Sequence, residues 1–132
     1  PDGRKGEEPF HDGTISPVGG RDKRGPTAVL NSVAKVDPLL SWNHLFNQSF
    51  MPTYLVGHNA ELFAHYLKTW ADLGIHHVQF SIVGTETLLD AQERPEQYQN
   101  LMVRVCGFAA YFVDLSKGVQ DQIISRTAQS FA

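Results

Sequence analysis

The chain has 132 residues, 42% of them hydrophobic and 19% charged, the size and composition of one small folded domain. Its 14 acidic and 11 basic side chains give a formal charge of −3, so bulk electrostatics offers no attraction to nucleic acid or an anionic membrane, and neither is expected as a partner. No apolar run approaches the roughly 20 residues that cross a bilayer, and the polar, Gly/Pro-rich start is no signal peptide.

The single cysteine, Cys106, excludes an internal disulfide and a multi-cysteine zinc site, and a cytosolic, reducing compartment is the simplest reading. There is no initiator Met, and residues 1–9 read like mid-chain loop. A processed or trimmed chain, or one piece of something larger, is therefore expected.

Glycine is concentrated in residues 1–25 (Gly3, Gly6, Gly13, Gly19, Gly20, Gly25), and with Pro1, Pro9 and Pro17 this predicts an extended loop, ordered only when draped over a partner. The remaining residues, 26–132, form the domain proper. Pro26 suits the first turn of a helix running to Lys35, with Val29, Leu30 and Val33 on one face and Asp37-Pro38 as its stop. Residues 44–50 alternate as a strand that Pro52 ends. Asn59 is the expected cap of a helix over 60–72, whose stripe is Leu62, Phe63, Tyr66, Leu67 and Trp70 and whose stop is Gly74.

A strand follows over 76–83, with His77, Gln79 and Ser81 on one face. Thr85 is placed as the cap of a short helix over 86–94 that Pro95 closes. Residues 101–105 form a short apolar strand leading into Gly107, and a last helix covers 118–128 with Val119, Ile123 and Ile124 inward. The fold class is α/β. Three short strands and four helices do not readily close a core at this size, which is a second hint of a missing partner.

Most chemistry-bearing groups form no constellation. His76 and His77 point to opposite faces of a strand, His58 and His65 are seven residues apart, and His11 and His44 have no neighbour in sequence, so no metal site is expected. No serine lies in a nucleophile elbow. Residues 19–25 are glycine-rich but lack the Gly-Lys-Ser/Thr of a phosphate loop and any preceding strand, so a solvated turn is the simpler reading. Cys106 reads as a structural thiol. Gly107, between an apolar strand and an aromatic-rich run, reads locally as a tight turn where no Cβ fits.

The flanking pattern adds a second reading. Arg104-Val105-x-Gly107-Phe108-x-Ala110-x-Phe112 resembles the C-terminal signature of the glycyl radical enzymes, Arg-Val-x-Gly-Tyr/Phe-x-Ala-x-Phe. Residues 74–83 resemble the strand that precedes the radical loop in that family. Residues 88–91 and 94–98 resemble its connecting helix and Pro-Glu-x-Tyr turn, and 12–17, 25–33 and 120–127 also fit in order. The likeness is nearer to the diol dehydratase, choline and hydroxyproline lyase and arylacetate decarboxylase branch than to pyruvate formate-lyase. Departures from the pattern are Ile75, Ser81 and Cys106.

The resemblance implies that 26–132 is a glycyl radical domain, the C-terminal portion of a ten-stranded β/α barrel that is incomplete without a partner chain. It makes Gly107 the radical store, with Arg104, Val105, Cys106, Phe108, Ala110 and Phe112 supporting the radical loop. Val105, Phe108, Ala109 and Phe112 suit a buried loop tip from which water and oxygen are kept out. Phe50 and Met51, with Pro52, are the expected pocket residues by family analogy.

The resemblance also implies a separate radical S-adenosylmethionine activase with a 4Fe-4S cluster, which removes the Gly107 hydrogen, and a large barrel subunit whose catalytic cysteine takes up the radical and attacks a small-molecule substrate. Nothing in this chain matches that cysteine loop. A radical-bearing small subunit, or a C-terminal piece, of a lyase that cleaves C–O, C–N, C–S or C–C bonds is the leading expectation. A repair module and a non-catalytic binding domain are the alternatives.

Overall fold

A computed structural model describes residues 5–6, 13–41, 43–105, 107–126 and 128–129. Among the described residues four helices and five short strands follow in the order α1 (Pro26–Val33), β1 (Asn47–Phe50), α2 (His58–Asp72), β2 (Gln79–Ser81), α3 (Thr85–Glu93), β3 (Met102–Arg104), β4 (Ala109–Tyr111), α4 (Lys117–Ile124) and β5 (Ala128–Gln129). Single 3₁₀ turns follow β1, α3 and β4.

β1 is the middle of a three-stranded sheet and runs parallel to both neighbours. It meets β2 in the register Asn47↔Gln79, Gln48↔Phe80 and Ser49↔Ser81, and β5 at Ser49↔Ala128 and Phe50↔Gln129. Parallel neighbours need a long crossover, which α2 supplies between β1 and β2. β3 and β4 form a separate antiparallel hairpin.

The apolar spacing of α1 buries Val29, Leu30 and Val33 against Phe46, Phe50, Tyr66 and Ile75. Phe50 is the hub of this first core. Its ring meets Phe63 and Tyr66 edge-on at 5.2 and 5.3 Å, and Phe80 at 5.9 Å. Edge-to-face geometry sets the positive rim of one ring against the negative face of another. Tyr66 donates its hydroxyl to Gln48, a buried polar pair inside the aromatic cluster, and burial pushes the Tyr66 hydroxyl well above its ordinary value of 10.0. A second core joins Leu88 and Ala91 of α3 to Val103, Phe112 and Ile123.

Several element ends differ from those the sequence predicts. β1 begins at Asn47 because Phe46 is engaged differently, its N–H donating to His77 Nδ1 at 3.3 Å. Gly57 at φ +59°, not Asn59, precedes α2, and the Asn59 amide reaches back to the Thr53 carbonyl instead. Thr85 is the first residue of α3 rather than its cap. β2 is limited to three residues, and the last helix ends at Ile124 so that the chain can return as β5 beside β1.

The described part of the N-terminal segment, 13–25, contains no helix or strand, and it packs on this chain itself. The N–H groups of Thr14 and Ile15 donate to the Leu45 carbonyl, and Ser16 Oγ accepts from the Asn47 N–H at 2.9 Å. At Gly13 a Cβ would lie 2.6 Å from the Leu45 carbonyl oxygen, so only glycine permits this approach.

Asp90 ties α3 to the turn that leads into β3, accepting from the Arg94 guanidinium and the Tyr98 hydroxyl. The Arg94 hydrogen bond, and secondly that of Tyr98, holds the Asp90 carboxyl below its ordinary 3.8. A depressed folded-state value means the contribution to stability is present above the unfolded value and is lost as pH falls through the folded one. The melting-temperature advantage of the native chain over Asp90→Asn is therefore expected near neutrality and should vanish in acid below that carboxylate range. In denaturant melts, Phe50→Ala should destabilise by about 3–5 kcal/mol, the scale for emptying a buried phenylalanine site, whereas Leu40→Ala, at a residue 86% exposed, should stay within about 0.5 kcal/mol.

Candidate functional site

Gly107 lies at the tip of the β3–β4 hairpin. Three residue pairs form its ladder, Met102↔Tyr111, Val103↔Ala110 and Arg104↔Ala109, and the Val105 N–H closes the turn onto the Phe108 carbonyl at 3.0 Å. Gly107 has φ +77°, in the left-handed region. A Cβ there would meet nothing nearer than Leu45 Cδ2 at 3.7 Å, so backbone conformation rather than space selects glycine.

Two arginines hold the hairpin to the parallel sheet and its flanking helix. Arg104 donates through Nη2 to Gln79 Oε1 of β2 at 2.9 Å and reaches the Gly107 carbonyl at 3.5 Å. Arg126, just beyond α4, donates through Nη1 to the Arg104 carbonyl at 2.7 Å and through Nη2 to the Val105 carbonyl at 2.6 Å. Phe112 anchors the hairpin's other end in the second core: it is fully buried, its N–H donates to the Leu101 carbonyl, and its own carbonyl accepts from Gln120. A cleft of about 260 Å³ runs between sheet and hairpin, with Ser49, Ser81, Thr85, Arg104 and Arg126 as its polar lining.

The structure thus brings Arg104, Val105, Gly107, Phe108, Ala110 and Phe112 into one hairpin, while Cys106 lies outside the described residues. One expectation is corrected within this chain. The tip is not buried within this chain: Gly107 and Ala109 are exposed and Phe108 is 56% exposed, because none of the described elements lies over them. Phe50, an expected pocket residue, is turned inward with Gln48 by the alternation along β1, and aromatic rings enclose it. Met51, 42% exposed, and the exposed Pro52 follow it at the end of β1.

His77 receives a backbone N–H, His44 contacts the Ser41 carbonyl, and His58 faces Glu61 at the surface. Among the described residues no three His, Cys, Asp or Glu side chains gather as metal ligands. Arg21, Lys23 and Arg24 stand exposed beside an open cleft with Asp22 among them, and no strand precedes them.

Arg126 and Gln79 escaped a site reading of the sequence. Each is a lone polar residue, and only the fold brings it to the hairpin. What the hairpin offers at its tip is a glycine Cα in a left-handed turn, with the Arg104 guanidinium 3.5 Å from the Gly107 carbonyl.

The Glycine radical family matches residues 11–113 of the chain. Trans-4-hydroxy-L-proline dehydratase of Clostridioides difficile is 39% identical over 132 residues, covering 99% of this chain and 17% of that protein. Indoleacetate decarboxylase of Tractidigestivibacter scatoligenes is 39% identical over 128 residues, covering 96% of this chain and 15% of that protein. The glycerol-bound glycerol dehydratase of Clostridium butyricum superposes with a TM-score of 0.90 at 42% identity, over 98% of this chain and 17% of that one. The chain therefore spans only a small part of the length of these relatives, two dehydratases and a decarboxylase. Sequence and fold agree across nearly its whole extent, and the chain belongs to the glycyl radical family.

Proposed function

We propose that Gly107 stores a glycyl radical, and that this chain is the radical-bearing small subunit, or a C-terminal piece, of a lyase whose catalytic cysteine lies on a larger chain. The observation that carries this reading is a left-handed, exposed glycine at the tip of a hairpin that two arginines restrain, in a chain of this family. Loss of one hydrogen atom from Cα leaves an unpaired electron shared between the donating amide nitrogen and the withdrawing carbonyl across a planar centre. A side chain would crowd that plane. Arg104 near the Gly107 carbonyl places positive charge on the withdrawing side.

The length ratio supports a division of labour. This chain spans 15–17% of the three relatives named above, and its one cysteine, Cys106, directly precedes Gly107 and is too close along the chain to face it across a site. The larger chain would carry the barrel, the cysteine that becomes a thiyl, and a base; a radical S-adenosylmethionine activase with a 4Fe-4S cluster would remove the Gly107 hydrogen. The exposed tip suits access by that activase. The bond cleaved belongs to the C–O, C–N, C–S or C–C class, and the substrate is a small molecule held mainly by the larger chain.

Anaerobic incubation with the activase, S-adenosylmethionine and the large chain should give a doublet in electron paramagnetic resonance. Gly107→Ala should abolish it while still folding, with a stability loss of about 1–2 kcal/mol from the left-handed backbone. No doublet in the native chain, or one that survives the substitution, would overturn the proposal. After activation, air should cut the chain at Gly107, which intact-mass measurement reads directly.

A further inference from the structure

We infer that Arg126 is the positioning residue of the radical loop, a guanidinium clamp that fixes the backbone immediately before Gly107; the inference rests on the reading of Gly107 as the radical site. Its Nη1 and Nη2 donate to the successive carbonyls of Arg104 and Val105 at 2.7 and 2.6 Å. In an extended strand, successive carbonyls point to opposite sides. One planar fork reaches both only where the chain bends, and the bend is here, at the end of β3. The clamp therefore recognises the turned conformation and not a straight one.

The place of Arg126 makes the clamp stiff. Its N–H donates to the Ile123 carbonyl at the end of α4, whose Ile123 belongs to the second core. Two residues later the chain enters β5 and pairs with the middle strand of the sheet. The guanidinium is thus held from both sides while its charge-assisted hydrogen bonds grip the loop. Arg104 is no substitute, because its reach to the Gly107 carbonyl is long, at 3.5 Å, and its shorter bond goes to Gln79. Lysine would keep the charge at residue 126 but not the fork, and its ammonium serves one carbonyl well rather than two.

The Val105 N–H, which closes the turn onto Phe108, is a built-in probe of this loop. In hydrogen–deuterium exchange on the full chain, Arg126→Gln should speed exchange at Val105 by about tenfold or more, on the scale of a lost charge-assisted hydrogen bond, with amides of α2 unchanged. Arg126→Lys should fall between the two. After anaerobic activation the Arg126→Gln radical should decay several-fold faster than the native one, with Arg126→Lys again intermediate.

Native exchange at Val105 in Arg126→Gln would overturn the clamp, and so would a rise shared equally by α2, which would mark a global loss of stability. An unchanged radical lifetime in Arg126→Gln would overturn its positioning role. If the native chain gives no doublet, the radical reading of Gly107 fails, and the exchange comparison still decides whether the clamp exists.

Discussion

Parallel pairing on both sides of β1 is the constraint from which the rest of the architecture follows. One parallel neighbour requires α2 as a crossover; the other requires the chain to come back after α4 and lie beside Ser49 and Phe50. That return carries Arg126 to the carbonyls at the end of β3. The hairpin is antiparallel and belongs to neither edge of the sheet, so its position is set by side chains: Arg104 onto Gln79, Arg126 onto the loop, and Phe112 into the second core. The radical store proposed at Gly107 needs one backbone geometry maintained at one Cα, and the restraints on that hairpin trace back to a strand pairing far from it in sequence.

The helices were legible because their ends are chemically marked. Pro26 opens α1, Gly74 at φ +68° follows α2, and Pro95 ends α3, each by a local restriction on φ or on the backbone N–H. Strand β4 was not legible, because Ala109-Ala110-Tyr111 has no alternation and pairs only through the turn at Gly107. Phe50 was legible in principle: the same alternation that marks the strand puts Phe46, Gln48 and Phe50 on one face, and that face is the core. Arg126 could not be found locally, since a lone arginine past a helix end looks like any solvated residue.

The site shows the same division. The turn at Gly107 was legible because a lone glycine separates an apolar strand from an aromatic-rich run, and its positive φ bears that turn out. The support around it was only partly identifiable. Arg104, Val105 and Phe112 lie within the motif, whereas Gln79 and Arg126 come from β2 and from beyond α4, 25 residues before and 22 after Arg104. Sequence spacing records neighbours along the chain. A guanidinium that finds two carbonyls across the fold leaves no such record.

The exposed tip completes the argument for a larger assembly. Phe108 and Tyr111 present large apolar surfaces beside an exposed Gly107, and each square ångström of that surface covered by another chain would contribute about 25 cal/mol to association. A carbon-centred radical there would also be open to oxygen. Covering the tip would thus serve two ends at once, removing apolar surface from water and closing the Cα to attack. The restraints inside this chain act from beneath the hairpin, through Arg104 and Arg126, and leave its outer face unhindered. In the proposed assembly, a loop fixed by Arg104 and Arg126 would meet its partners with its backbone already set.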